Sequence, residues 1–188
     1  MPRPKTFDID TAIDGAMGVF REHGYEGTSA QMLVDAMGIG RQSLYDTFGD
    51  KWELYKGALR RYATAEKQAH RTALKSGRRP IDGIRAMIER VVSDAATPCL
   101  GVGSIAEFGC SQSELTEINL AADRDLRGAM IEQVRAAQAQ GDIADALDPD
   151  AIATFFIASF AGIRIAARGG ARPQQLRDLG EMAMRALR

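Results

Sequence analysis

Apolar side chains recur along this chain at the three-and-four spacing of helix faces, with no sustained alternation of the kind that builds strands. Ile9, Ala12, Ile13, Ala16, Met17 and Phe20 form the first such stripe, between Asp8 or Asp10 as N-cap and Gly24 as a stop. Thr28-Ser29-Ala30-Gln31 then reads as a capping box, in which the Thr28 hydroxyl accepts from the Gln31 amide. Met32, Leu33, Ala36 and Met37 follow as the buried side of a short helix that ends at Gly38. After Ile39 and Gly40 comes a second short helix, Arg41 to Phe48, with Leu44 and Phe48 four apart on one face. Two short helices around a tight glycine turn predict a helix-turn-helix.

Gly49 closes that unit, Asp50 and Glu53 make a further reciprocal cap, and Trp52, Tyr55, Leu59 and Tyr62 keep helical spacing in a long helix from 51 to about 75. Gly77-Arg78-Arg79-Pro80 breaks it. Helical patterns resume over 81–95, 100–108, 113–140, 148–167 and 173–187. The expected fold is all-α, with an N-terminal three-helix domain over 1–50 and a second helical domain over 51–188 joined to it by the long helix. The penultimate helix is apolar almost all round, which predicts burial on more than one side. Ile152, Phe155, Ala158, Ser159 and Gly162, with Leu176, Leu179 and Met182 of the last helix, are the expected seam of a homodimer; an ordinary monomer core is the alternative.

The 188 residues are 45% hydrophobic and 26% charged, which excludes a disordered or low-complexity chain. The apolar run Ala151 to Ile163 is shorter than the ~20 residues of a membrane span, so no membrane partner is expected. The start lacks the apolar core of a secretory signal, which makes the cytoplasm the expected compartment. Net charge is −1, but residues 50–79 carry nine basic against three acidic side chains. That stretch is either a solvated face or a surface near phosphates. His23 and His70 stand far apart and outside any ligand spacing, and Cys99 and Cys110 lack a CxxC pattern, so no metal, cofactor or catalytic residue is proposed. The two histidines are expected to be exposed or capping.

The informative constellation is Gly38 to Lys51. With Leu44 at the centre of the buried face, Gln42 and Asp46 point outward, Ser43 and Tyr45 flank them, and Arg41 lies nearer the edge. Arg, Gln, Ser and Tyr are side chains that read base edges or hold phosphates, although a plain surface helix would satisfy the same periodicity.

These residues resemble the N-terminal domain of the TetR/AcrR transcriptional regulators: Phe20, Gly24 and Tyr25, then Gly27-Thr28-Ser29, Ala36-x-Gly38, and Ser43-Leu44-Tyr45-x-x-Phe48-x-x-Lys51. The resemblance implies a homodimeric repressor that binds double-stranded operator DNA through its N-terminal helices, and a C-terminal domain that dimerises and encloses a small-molecule effector. By position, Arg41, Gln42, Ser43 and Tyr45 would meet bases or phosphates, and Thr28, Thr47 and Lys51 the backbone. Arg3, Lys5 and Lys56 would add positive charge toward the duplex, and Thr28 and Ala30 a helix N-terminus. Two features depart from the pattern: Gly40 stands where a hydroxyl cap is frequent, and Asp46-Thr47 replace an aromatic or histidine pair. A mostly apolar effector pocket would draw on Met87, Val91, Cys99, Ser104, Ile105, Glu107, Phe108, Cys110, Met130, Val134 and Phe156. A helical protein-interaction module without operator binding is the competing reading.

Overall fold

A computed structural model describes residues 7–187, and among them every regular element is helical. In chain order these are α1 (Ile9–His23), α2 (Ala30–Met37), α3 (Arg41–Phe48), α4 (Lys51–Leu74), α5 (Pro80–Ser93), α6 (Leu100–Phe108), α7 (Ser113–Ala139), α8 (Pro149–Arg168) and α9 (Pro173–Arg185). The all-α expectation holds, and the helix limits fall within two or three residues of the periodicity. Arg3 and Lys5 lie outside the described residues.

The division into compact units differs from a break at 50. One unit comprises the residues up to Thr64 together with Cys99–Asn119, and the other Ala65–Pro98 with the residues from Leu120 onward. Helices α4 and α7 each run continuously from one unit into the other. The stretch after Lys51 was expected to be a second domain, yet its first turns, all of α6 and the start of α7 complete the core of the N-terminal unit. The physical reason is that α1 to α3 alone bury too little. Leu54, Tyr55, Ala58 and Leu59 of α4 and Leu100 and Leu115 are needed to cover Ala12, Ala16, Phe20, Leu33 and Leu44.

Within this unit α1 packs against α2 so closely that a Cβ on Gly15 would sit 2.5 Å from the carbonyl oxygen of Ala36. Glycine is what permits that crossing. At the turn, Gly38 adopts φ +63°, the left-handed conformation that ends α2 and aims the chain into α3. The cap of α2 is one residue later than expected. Ser29 Oγ accepts from the Met32 amide at 3.2 Å, while the Thr28 hydroxyl donates to the Gly24 carbonyl. Both residues carry a hydroxyl, so the cap falls to whichever has extended backbone ahead of the first helical residue, here Ser29 at ψ 158°.

The second unit encloses Ile84, Met87, Ile88 and Val91 of α5, Met130 and Val134 of α7, Ala153, Phe156, Phe160 and Ile163 of α8, and Ala183 and Met184 of α9. By length and composition α8 could cross a membrane. Its apolar surface is divided between this core and an uncovered face on which Phe155 is 45% and Ile165 59% exposed. Ile152 and Leu176, expected at the dimer seam, are buried in the unit's own core. Arg164 of α8 is buried too, and donates to Glu66 at 3.1 Å. Glu66 also takes Arg90 in a two-pronged pair at 2.7 and 3.3 Å, and His70 stacks on Phe160 beside them. His70 is thus a buried member of a polar network and not an exposed or capping residue.

Burial, aided by the neighbouring guanidiniums and opposed by Glu66, pulls the His70 pKa from 6.5 down to about 4. Burial also works against the Glu66 charge, but Arg90 and Arg164 outweigh it and hold that carboxyl below its usual range. The unfolded chain therefore binds the His70 proton more readily than the folded one, and stability declines as pH falls below 6.5 toward 4. Glu66 adds its own loss only below about pH 4.5. Urea denaturation at pH 7 and pH 5 is expected to show a loss of about 2 kcal/mol from His70, and His70→Asn should flatten that slope. An unchanged slope in the variant would refute this assignment.

Candidate nucleic-acid interface

The outward face of α3 is set by what its inward face buries. Leu44 is 1% exposed in the N-terminal core, and Phe48 packs against the same cluster. Stepping around the helix from Leu44 leaves Arg41, Gln42, Tyr45 and Asp46 exposed, with Ser43 and Thr47 half-buried on the flanks. Gly40 supplies no side-chain cap, so the first amides of α3 stay open to solvent or to a ligand. Gln42 Nε2 donates to Asp46 Oδ1 at 2.8 Å, one turn along the helix. Arg41, Gln42, Ser43 and Tyr45 are therefore brought together on one polar surface, as the spacing predicts.

Thr28 and Lys51 do something else. Thr28 is 2% exposed, with its hydroxyl turned inward to Gly24, so its side chain offers no surface to a duplex. The N-terminus of α2 is presented by Ser29 instead. Lys51 Nζ donates to the Thr28 carbonyl at 2.9 Å and lies 4.2 Å from the centre of the Tyr25 ring. This lysine ties the start of α4 to the turn before α2. A sequence reading could see a lysine of the right register, but not that a carbonyl 23 residues away would hold it.

The basic stretch is largely consumed within the fold. Lys56 is buried between Glu53 and Glu114 at 2.8 and 2.7 Å, and Arg61 holds Asp10 at 2.9 Å and Asp14 at 2.6 Å. Lys67 pairs with Asp125 at 2.7 Å, and Arg79 pairs with Asp142. With Lys51, five of the nine cations of residues 50–79 have internal partners. Lys56 cannot reach a duplex from its buried position.

Glu107, expected among pocket residues, accepts from the amides of Tyr25 and Glu26 at 2.9 and 2.7 Å. It ties α6 to the α1–α2 turn. Phe108 packs against Tyr25, Trp52 and Tyr55, Ser104 is buried, and Ile105 and Cys110 are exposed. Cys99 caps α6, its sulfur accepting from the Val102 amide at 3.4 Å and the Tyr62 hydroxyl at 3.2 Å. These six residues belong to the first unit, whereas Met87, Val91, Met130, Val134 and Phe156 are packed in the core of the second. None of these eleven residues lines either of the two grooves that open on the second unit. A groove of about 520 Å³ in the second unit is lined by Ile88, Val92, Leu176, Gly180 and Met184 with charged residues at its rim. A second, of about 710 Å³, runs along Phe155, Ser159, Gly162, Leu179 and Met182.

Two family matches cover most of the chain. Residues 12–58 match the bacterial regulatory proteins of the tetR family, and residues 79–183 match the tetracyclin repressor-like C-terminal domain. The HTH-type transcriptional repressor ComR of Escherichia coli (strain K12) is 31% identical, over 97% of this chain and 90% of its own. The HTH-type transcriptional regulator YezE of Bacillus subtilis (strain 168) is 29% identical over the whole of both. A solved structure of the TetR family regulator CifR, in a cysteine-substituted form bound to 26 bp double-strand operator DNA, superposes with a TM-score of 0.85 at 29% identity over the full length of both chains.

Lys51→Met should lower the stability of the protein without DNA by about 1 to 2 kcal/mol, from the lost ammonium-carbonyl bond and the lost contact with Tyr25. Chemical denaturation measures it. Unchanged stability would return Lys51 to a role on the DNA backbone alone.

Proposed function

Because the chain belongs to the TetR family of bacterial regulatory proteins, and is therefore a DNA-binding transcriptional regulator, not an enzyme, we propose that it is a homodimeric repressor released from its operator by a small, mostly apolar ligand. The observation that carries the reading is the exposed set Arg41, Gln42 and Tyr45 on an α3 whose opposite face is locked by Leu44. Side chains of these types, fixed on the second helix of a helix-turn-helix, suit the major groove. Ser43 and Thr47 on the flanks and the Ser29 end of α2 are assigned to the phosphates. Work on operator DNA makes the cytoplasm its compartment.

Dimerisation is supported by the uncovered face of α8 and α9. Phe155, Leu179 and Met182 are 45%, 44% and 58% exposed, around Ala158, Ser159 and Gly162, whose small side chains let another helix approach. An apolar groove of this size is unfavourable in water and is covered when two copies pair. The ligand is assigned to the second unit, where Met87, Met130 and Phe156 are fully buried in the core. An effector entering there has to repack the core, so binding and conformational change are one event. The expected coupling is about 1 to 3 kcal/mol, and it is reciprocal: operator weakens effector by the factor by which effector weakens operator.

The direct test is an electrophoretic shift of the full chain with the DNA flanking its own gene at several salt concentrations. Since Lys51, Lys56, Arg61, Lys67 and Arg79 are held by partners within the chain, the log-log slope is expected at about −2 to −4 per dimer. A slope of zero with no sequence preference would favour the protein-interaction module. Gly162→Asp should yield monomers by sedimentation that lose the operator, because one half-site supplies too few contacts. An intact dimer in that variant would remove α8 from the seam. For the effector, its dissociation constant with and without saturating operator decides; equal values would mean a regulator that ligand does not release.

A further inference from the structure

Asp46 is an acidic member of the recognition surface, a feature that phosphate binding does not explain. It points straight outward from α3, opposite Leu44, where a carboxylate would face the negative potential of a duplex. Among the described residues no cation pairs with it, and its hydrogen-bond partner is Gln42. A solvated acid there would only repel DNA. Hydrogen-bond donors that a base edge presents in the major groove are the N4 amino group of cytosine and the N6 amino group of adenine.

Resting on the operator reading above, we propose that Asp46 is a specificity-determining residue that accepts from the N4 amino group of a cytosine while holding Gln42 in the orientation that reads a neighbouring adenine. The Gln42 amide has two N–H groups and one oxygen. One N–H is donated to Asp46 Oδ1 at 2.8 Å. That bond fixes which end of the carboxamide is donor and which is acceptor, leaving the oxygen and the second N–H for the paired acceptor-donor edge of adenine. The second oxygen of Asp46 keeps its lone pairs for the cytosine. Residues 42 and 46 are one turn apart, about 6 Å along the axis, so the two bases lie within about two base-pair steps. Each half-site of the operator thus carries a C·G pair within about two steps of the A·T pair that Gln42 reads. The negative charge also lowers affinity for DNA that offers no amino group at that place.

The test is selection of bound sites from randomised duplex DNA by the full-length protein and its Asp46 variants, followed by titration of the selected operator with single base-pair changes. Asp46 is exposed and makes no core contact, so the variants keep the fold, which circular dichroism verifies. Wild type is expected to enrich paired half-sites containing A·T and C·G pairs within about two steps of each other, and to lose roughly tenfold in affinity when the cytosine is replaced. Asp46→Ala should abolish the preference for cytosine, relax the adenine position as well, and bind random DNA more tightly. Asp46→Asn, whose amide matches adenine, should move the preference at that position from cytosine to adenine. A wild-type motif that both variants select unchanged would overturn the role of Asp46 while leaving operator binding intact. Failure of the wild type to select any motif would overturn the operator reading and this inference together.

Discussion

Tyr55, fully buried in the first turns of α4, is the contact on which the geometry of the DNA-binding unit depends. Its ring meets Phe20 of α1 edge-on at 5.0 Å, Tyr25 of the α1–α2 turn at 5.3 Å, Trp52 at 6.0 Å and Phe108 of α6 at 5.9 Å. Edge-to-face and offset-stacked aromatic packing of this kind contributes about 0.5 to 1.5 kcal/mol per pair beyond the area removed from water. One side chain therefore collects three separate pieces of chain onto α4. Burial also pushes its phenol up to about 12, despite the Ser104 hydroxyl nearby, so the ring stays neutral throughout the working range. Without that hub α6 would keep only its peripheral ties to α1–α3, through Glu107, Phe108 and Leu100.

Around this apolar hub the turn between α1 and α2 is fastened from both sides. The Glu107 carboxylate takes the amides of Tyr25 and Glu26, and the Lys51 ammonium takes the carbonyl of Thr28. A loop that would otherwise offer unpaired backbone groups has its donors and acceptors satisfied by charged side chains, the stronger class of hydrogen bond. The acid comes from α6 and the base from α4. The entry to α2, and through the Gly38 turn the aim of α3, is thus held by residues outside the helix-turn-helix itself.

Local patterning made the helices, the glycine turn and the outward face of α3 legible, because each is a property of residues within one or two turns. What it could not reveal were pairings across long stretches of chain: Lys56 with Glu114, Arg61 with Asp10 and Asp14, Lys67 with Asp125. Charge counting along 50–79 left a phosphate-facing surface open as a reading for exactly this reason. The same blindness put Glu107 among pocket residues, since an acid beside Phe108 says nothing about two amides some eighty residues earlier. Met87, Val91, Met130, Val134 and Phe156 are visible in the sequence as apolar stripes, and such a stripe looks alike whether it admits a ligand or fills a core. Thr28 and Ser29 differ only in backbone angle, which adjacent hydroxyl residues do not encode.

The internal neutralisation of α4 has a consequence for how the regulator finds its site. A chromosome offers on the order of a million or more competing stretches of DNA, and attraction to them is almost entirely a matter of phosphate charge. With Lys56, Arg61 and Lys67 held by acids of the same chain, these three cations add little to that attraction. On the operator reading proposed above, discrimination among those stretches falls to the exposed side chains of α3. Neutralising part of α4 from within would trade speed of search along a duplex for less loss to competing DNA.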